Sequence, residues 1–226
     1  MTALYDMLPW NRNLLLDLQY NEGVGVVMTG DYAGQHHIMT QNGTPTWTQL
    51  ANGLSYLDFE QSVPDWLDCP DTGSLDLDFT SGDFTLATWL NLESAGLRYL
   101  MSRGLVDVDG WEWYIDADSQ LTFGTHQAAA HQYTIGGVVP TATWLFAALV
   151  RDGAGAVHYV NSVPSIGTAG THVNPLTSAR EFHVGSDDTE AVGFDGGLWR
   201  TRIWNRALSA ADVKQIFNVE RGLFGI

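Results

Sequence analysis

The chain has 226 residues, 45% of them hydrophobic, enough for one large all-β domain with a real core, so a disordered chain is excluded. Its 26 acidic against 10 basic side chains give a formal net charge of −16, which excludes a simple electrostatic nucleic-acid partner, because counterion release needs a basic footprint.

The first residues, MTALYDMLPW, carry neither the basic region nor the long apolar run of an export signal. The longest apolar run, WLFAALV at 144–150, is far too short to span a bilayer. The expectation is therefore a protein that neither inserts in a membrane nor leaves by the usual export route. Short apolar or alternating runs then recur along the chain: LLLDLQY, LSYLDF, FTLATWLNL, WEWYID, WLFAALV, AVHYVN and EFHVG, separated by Gly, Asp and Asn turns. This spacing predicts a two-sheet antiparallel sandwich of about a dozen strands in a single domain over 1–226. GVG at Gly23–Gly25 lacks the third glycine or lysine of a phosphate loop. His36 and His37 are adjacent, and side chains of neighbouring residues on an extended chain point apart, so a loop role is expected rather than metal ligation. Asn42-Gly43-Thr44 reads as a turn, and the single cysteine, Cys69, forms no intramolecular disulfide.

In VDVDGWEWYI, Asp109-Gly110 is expected to supply a tight hairpin turn. Trp111, Trp113 and Ile115 then share one face, with Glu112, Tyr114 and Asp116 on the other. RDGAGA at Arg151–Ala156 predicts a second hairpin. The acids of DVD (Asp107–Asp109) and DAD (Asp116–Asp118) sit beside predicted turns and lack the glutamates of a glycosidase strand. Neither Gly-x-Ser-x-Gly nor His-Glu-x-x-His occurs. The protein therefore reads as a non-enzyme. Trp89, Trp144 and Trp204 fall on strands and read as core. Trp47, Trp66 and Tyr114 are the candidate ligand-binding aromatics, suited to stack on a sugar or fill a pocket on a protein.

FDGGLWRTRIWNRALSAADVKQIF closes the chain. Here Leu198, Arg200, Arg202 and Trp204 alternate with Trp199, Thr201 and Ile203, as in a strand with one buried face. Its arginines are expected to be solvated or paired with nearby acids. Ser209 and Asp212 form a capping box, with Leu208 stapled to Val213, which starts a helix over about 209–217 that lies on the sandwich. A short tail, 218–226, follows.

These residues resemble the laminin-G-like, concanavalin-A-type jelly rolls. The closing glycine turn, the aromatic-Asn-Arg-Ala-Leu-Ser run and the helix match that family. So, in order, do LDLQYNEGVGVVMTGDYAGQHH, YLDFEQSVPDWLDCPDTGSLDL, FTLATWLNL, WLFAALVRDG, VHYVNSVP and FHVGSDD. The resemblance implies a jelly-roll sandwich. It also implies a structural calcium at the sandwich edge, bound by oxygen ligands as that ion requires. Among Glu60, Asp65, Asp187, Asp188 and Asp195, it favours Glu60 and Asp195. Two departures stand out: Ser162 replaces the glycine after Tyr-Val-Asn, leaving Asn161 to carry the turn, and Trp199 replaces an acid often found in the last strand. A stand-alone member of this kind is similar to accessory proteins of tailed-virus particles, decoration or fibre-type. The implied partners are other virion or surface proteins, glycans, or copies of the chain in a symmetric oligomer, with the protein at a virion surface or released by lysis. A glycan-binding module with structural calcium is the alternative, and a glycoside hydrolase the weaker one.

Overall fold

The computed structural model describes residues 8–226 apart from 24, 26 and 29, and it excludes the side chains of Val27 and Met28. The export reading of residues 1–7 and part of the Gly23–Gly25 stretch lie outside the described residues. In chain order the strands are β1 (Leu14–Leu18), β2 (Val27–Met28), β3 (Met39–Asn42), β4 (Thr46–Gln49), β5 (Ser55–Phe59), β6 (Trp66–Cys69), β7 (Phe84–Leu92) and β8 (Arg98–Leu105). There follow β9 (Asp109–Ile115), β10 (Gln120–Gln127), β11 (Ala130–Val138), β12 (Trp144–Asp152), β13 (Gly155–Val160), β14 (Val163–Ser165), β15 (Phe182–Val184) and β16 (Gly196–Trp204). Among the described residues one α-helix, α1 (Ala210–Glu220), and a 3-10 turn at Arg221–Phe224 end the chain.

Two eight-stranded antiparallel sheets result. The first runs β14-β13-β12-β7-β16-β5-β4 with β1 also on β16; the second runs β11-β10-β9-β8-β15-β6-β3-β2. This is the expected jelly-roll sandwich. The additional strands are short ones such as β2, β4, β14 and β15, which hold too few positions to show a period of two.

Alternation places the core. Leu57, Phe59, Leu86, Leu90, Leu149, Leu198 and Ile203 of the first sheet meet Leu100, Met101, Trp111, Trp113, Ile115, Leu121, Phe123 and Val184 of the second. A second apolar layer lies outside the first sheet, where Trp89, Phe146, Trp199 and Trp204 pack under Val213, Ile216 and Phe217 of α1. Trp89 and Trp204 are thus buried as expected, but beneath the helix; Trp144 is half-buried at the margin of that layer.

The simple alternation of β16 does not hold. Arg200 takes a left-handed φ of 56°, and the register with β7 shifts between Trp199 and Arg202. This bulge lets Leu198 and Ile203 both face the inter-sheet core while Trp199 and Trp204 both face the helix. The arginines are paired, not solvated. Arg202 donates to Glu220 Oε2 (2.8 Å), and Arg200 to Glu220 Oε1 (2.9 Å) and Asp17 (3.3 Å). Trp89 Nε1 also donates to Glu220 (2.8 Å), so the last residue of α1 ties the helix to the sheet. At the other end Ser209 and Asp212 form the expected capping box.

Two turns differ from expectation. The β8–β9 turn is Val106-Asp107-Val108, with Asp107 left-handed; Asp109 and Gly110 already pair with Leu105 and Gly104. Gly110 is required there by contact, because a Cβ would lie 1.9 Å from the Arg103 carbonyl. In the β13–β14 hairpin both Asn161 (φ 48°) and Ser162 (φ 67°) are left-handed, so Asn161 does not carry the turn alone.

Candidate functional site

Among the described residues no helix lies over the outer face of the second sheet. Leu121 and Phe123 of β10, and Trp111, Trp113 and Ile115 of β9, point to the core, so Glu112, Tyr114, Thr122, Gly124 and His126 point outward. Register then builds rows across the strands. One runs Asp68 (β6), His183 (β15), Ser102 (β8), Glu112 (β9), Gly124 (β10) and Tyr133 (β11). Next to it, Tyr99 pairs with Tyr114, and Tyr114 with Thr122.

Glu112 sits at the centre and is only 3% exposed. Its Oε2 accepts from the Tyr99 hydroxyl (3.0 Å). Its Oε1 lies 3.2 Å from His126 Nε2, close enough for an electrostatic contact, though the angle falls short of a hydrogen bond. The Asp107 amide donates to His126 Nδ1 (3.4 Å), which leaves the imidazole proton on Nε2, facing the carboxylate. Tyr99 stacks on Tyr114 (5.1 Å between centroids), Tyr114 meets Tyr133 edge-on (6.3 Å), and Tyr133 lies on His131 (4.6 Å). Tyr133 covers Gly124, where a Cβ would come within 2.6 Å of its ring. His131 is paired with Asp107 at the rim.

Burial, and after it the Glu112 carboxylate, pushes the phenols of Tyr99, Tyr114 and Tyr133 well above their ordinary range. They remain neutral donors. On the same side of this sheet, both ring nitrogens of buried His183 and the indole Nε1 of Trp66 lack a hydrogen-bond partner among the described residues. Buried polar atoms without partners are rare, and here they line the strands next to the tyrosines.

Of the aromatics expected to bind, Tyr114 is in this cluster and half-open. Trp66, on β6, shares the face but contacts none of the tyrosines. Trp47 is on the other sheet, half-buried against the inter-sheet core, so it is no exposed platform. Glu112, Tyr99, His126 and Tyr133 were not singled out by sequence reasoning.

Glu60 and Asp195 lie at one end of the sandwich, where burial and the neighbouring Glu93, Glu60, Asp195 and Asp65 raise the Asp58 carboxyl to about 6. Asp195 accepts from the Gln61 amide (3.1 Å) and the Ser94 hydroxyl, and Asp65 accepts from the amides of Thr44 (2.6 Å) and Glu60 (3.1 Å). Asp187 caps its own loop through the amides of Ala191 and Val192, and Asp188 pairs with Arg180. Among the described residues no three His, Cys, Asp or Glu side chains converge to hold a metal. Trp199, where the family often has an acid, is turned into the helix layer. His37 has the expected loop role: Asp31 takes its Nδ1 (2.7 Å) and Asp76 its Nε2 (2.9 Å).

The model of the concanavalin A-like lectin/glucanases superfamily matches residues 65–214, more than half of the chain. The chain belongs to this superfamily. Solved structures agree on the fold. The binding domain of Paraclostridial Mosquitocidal Protein 1 superposes with a TM-score of 0.73 at 12% identity, covering 93% of this chain and 53% of that one. The botulinum neurotoxin serotype G binding domain gives 0.70 at 13%, covering 92% and 51%. The chain thus spans about half the length of these toxin domains. Domain 4 of AbnA, a GH43 extracellular arabinanase from Geobacillus stearothermophilus solved with arabinotriose, gives 0.68 at 14%, covering 90% and 98%. No curated protein matches the sequence at a significant level. Among the described residues no helix is long and apolar enough to cross a membrane.

Proposed function

We propose that the chain is a non-catalytic docking module that holds a glycan on the uncovered face of its second sheet, and that it works as a decoration or fibre-type accessory protein of a virion. The observation that carries the reading is the tyrosine ledge. Tyr114 and Tyr133 offer flat, half-open rings for the apolar faces of a sugar, and their phenols stay protonated as hydrogen-bond donors. Glu112 braces the ledge: one oxygen holds Tyr99 and the other faces His126, so it is placed for support, not to protonate a glycosidic oxygen. AbnA domain 4, of similar fold, was solved with arabinotriose, which supports a sugar ligand. The charge of −16 supports the particle setting, since it keeps a crowded surface soluble.

A glycan array with the purified protein tests the docking role. Binding to a defined glycan without its cleavage is expected; hydrolysis of that glycan, or no binding to any, defeats the proposal. Mass spectrometry of purified particles from the source tests the setting separately, and the protein's absence from them removes the virion role while leaving the docking role standing.

A further inference from the structure

Between β14 and β15 the chain runs without a strand and closes the side of the sandwich where β11 and β13 approach each other. Residues 166–178 form this strap. It pairs at Thr168 with Ile135, and its Gly170 amide donates to Thr134 Oγ1 (3.0 Å). Its Leu176 backbone bridges the Gly110 amide (3.0 Å) and the His126 carbonyl (3.1 Å). The pin is His172, which is 3% exposed against Phe123.

The hydrogen bonds around it specify a neutral ring. Thr125 Oγ1 donates to Gln132 Oε1 (3.2 Å), so it accepts from His172 Nδ1–H (3.0 Å), and Nε2 then accepts from Thr134 Oγ1 (2.8 Å). Gln132 Oε1 also accepts the strap's Val173 amide (3.1 Å). Buried His158, from β13, donates its Nε2–H to the Thr134 carbonyl (3.0 Å) and accepts Trp113 Nε1–H at Nδ1 (3.4 Å). A second proton on His158 would face the indole N–H. The remaining titratable or charged neighbours of His172 give it no countercharge. Arg151, from β12, is itself buried and donates to Asn174 of the strap (2.9 Å), and His126, from β10, lies beyond Thr125.

We propose that residues 166–178 are an acid-released clasp, freed from the sandwich edge when His172 and His158 take up protons. Burial holds both imidazoles down at about 4 against an ordinary value of 6.5, with Arg151 and His126 adding to the effect on His172. The released strap takes His172 to the ordinary value, so the closed form is fully favoured above it and loses stability as pH falls from 6.5 toward 4; His158, which stays on β13, adds repulsion of His172 once protonated. Because Leu176 also anchors His126, release loosens one end of the tyrosine face.

Amide hydrogen exchange of the whole chain, corrected for intrinsic rates, tests this at about pH 7 and about pH 4.5. Protection of 166–178 is expected to fall at least about tenfold at the lower pH while that of α1 holds. A double variant, His172→Gln with His158→Gln, is expected to lose this acid sensitivity. Unchanged strap protection in the wild type, or loss of strap and α1 together, overturns the clasp. Equal acid sensitivity in the double variant does so too; should that variant not fold, the wild-type comparison of strap with α1 decides alone.

Discussion

On the outer face of the first sheet, Trp89, Trp199 and Trp204 pack beneath α1 and the Arg221–Phe224 turn; on the outer face of the second, Tyr114 and Tyr133 remain half-open to solvent. Both faces carry large rings on long strands, though Tyr133 lies on the edge strand β11. The difference lies in polar partners. On the covered side Arg200 and Arg202 pair with Glu220, Arg200 also with Asp17, and the Trp89 indole donates to Glu220, which leaves Arg202 Nε as the unmatched polar atom of these groups. Burial outweighs the two arginines at Asp17 and raises its carboxyl above the ordinary value, a sign of how dry this layer is. On the open side phenols take most of these places, Glu112 and His126 face each other at 3.2 Å, and among the described residues the His183 ring nitrogens and the Trp66 indole are unmatched. The covered face meets most of its charges internally, whereas the open face leaves the His183 ring nitrogens and the Trp66 indole unmet.

Breaking the covered face has the largest expected effect. Glu220→Ala strips buried Arg202 of its carboxylate and Arg200 of one of its two, and is expected to cost about 3–5 kcal/mol in urea denaturation. A loss below about 1 kcal/mol would show that the arginines find other partners. On the ligand-side sheet, His37 clamps the loop before β3 between Asp31 and Asp76. Burial opposes its charge, but hydrogen bonds to the two carboxylates overcome this and raise it to about 9. Its contribution is fully present below the ordinary value of 6.5 and is lost as pH rises through 9. His37→Ala is expected to cost on the order of 2 kcal/mol at neutral pH and much less above about pH 9.5, read from urea midpoints at both. A pH-independent cost would assign His37 to packing alone.

Smaller effects sharpen the comparison. Ser209→Ala removes the α1 cap and is expected to cost about 1 kcal/mol, read from the denaturation midpoint, without touching the open face. Ser162→Gly relieves a left-handed serine and is expected to raise stability by about 0.5 kcal/mol, seen as a higher melting temperature.

Much of the covered side was legible in the sequence. The capping box from Ser209 to Asp212 is local, so three residues of spacing suffice to read it, and long strands such as FTLATWLNL declare themselves by pattern. The bulge at Arg200 was not legible, because nothing in LWRTRIW marks where one extra residue enters. The tyrosine face was legible only in part. Glu112 and Tyr114 could be put on one side of β9, but Tyr99, His126 and Tyr133 join them through pairings of three other strands, and no local spacing encodes that register. Of the acids favoured for calcium, Asp195 accepts from a backbone amide and a serine, a use that depends on loop geometry and leaves no local spacing to read.

The central claim is that ligand binds the uncovered tyrosine face and not the aromatic margin of the covered one. Calorimetric titration of a glycan selected on the array, against wild type, Tyr133→Ala and Trp144→Ala, tests it most directly. Tyr133→Ala is expected to weaken binding about tenfold or more with little change in melting temperature, whereas Trp144→Ala leaves affinity as it was. Full affinity in Tyr133→Ala, with binding lost in Trp144→Ala, would contradict the account.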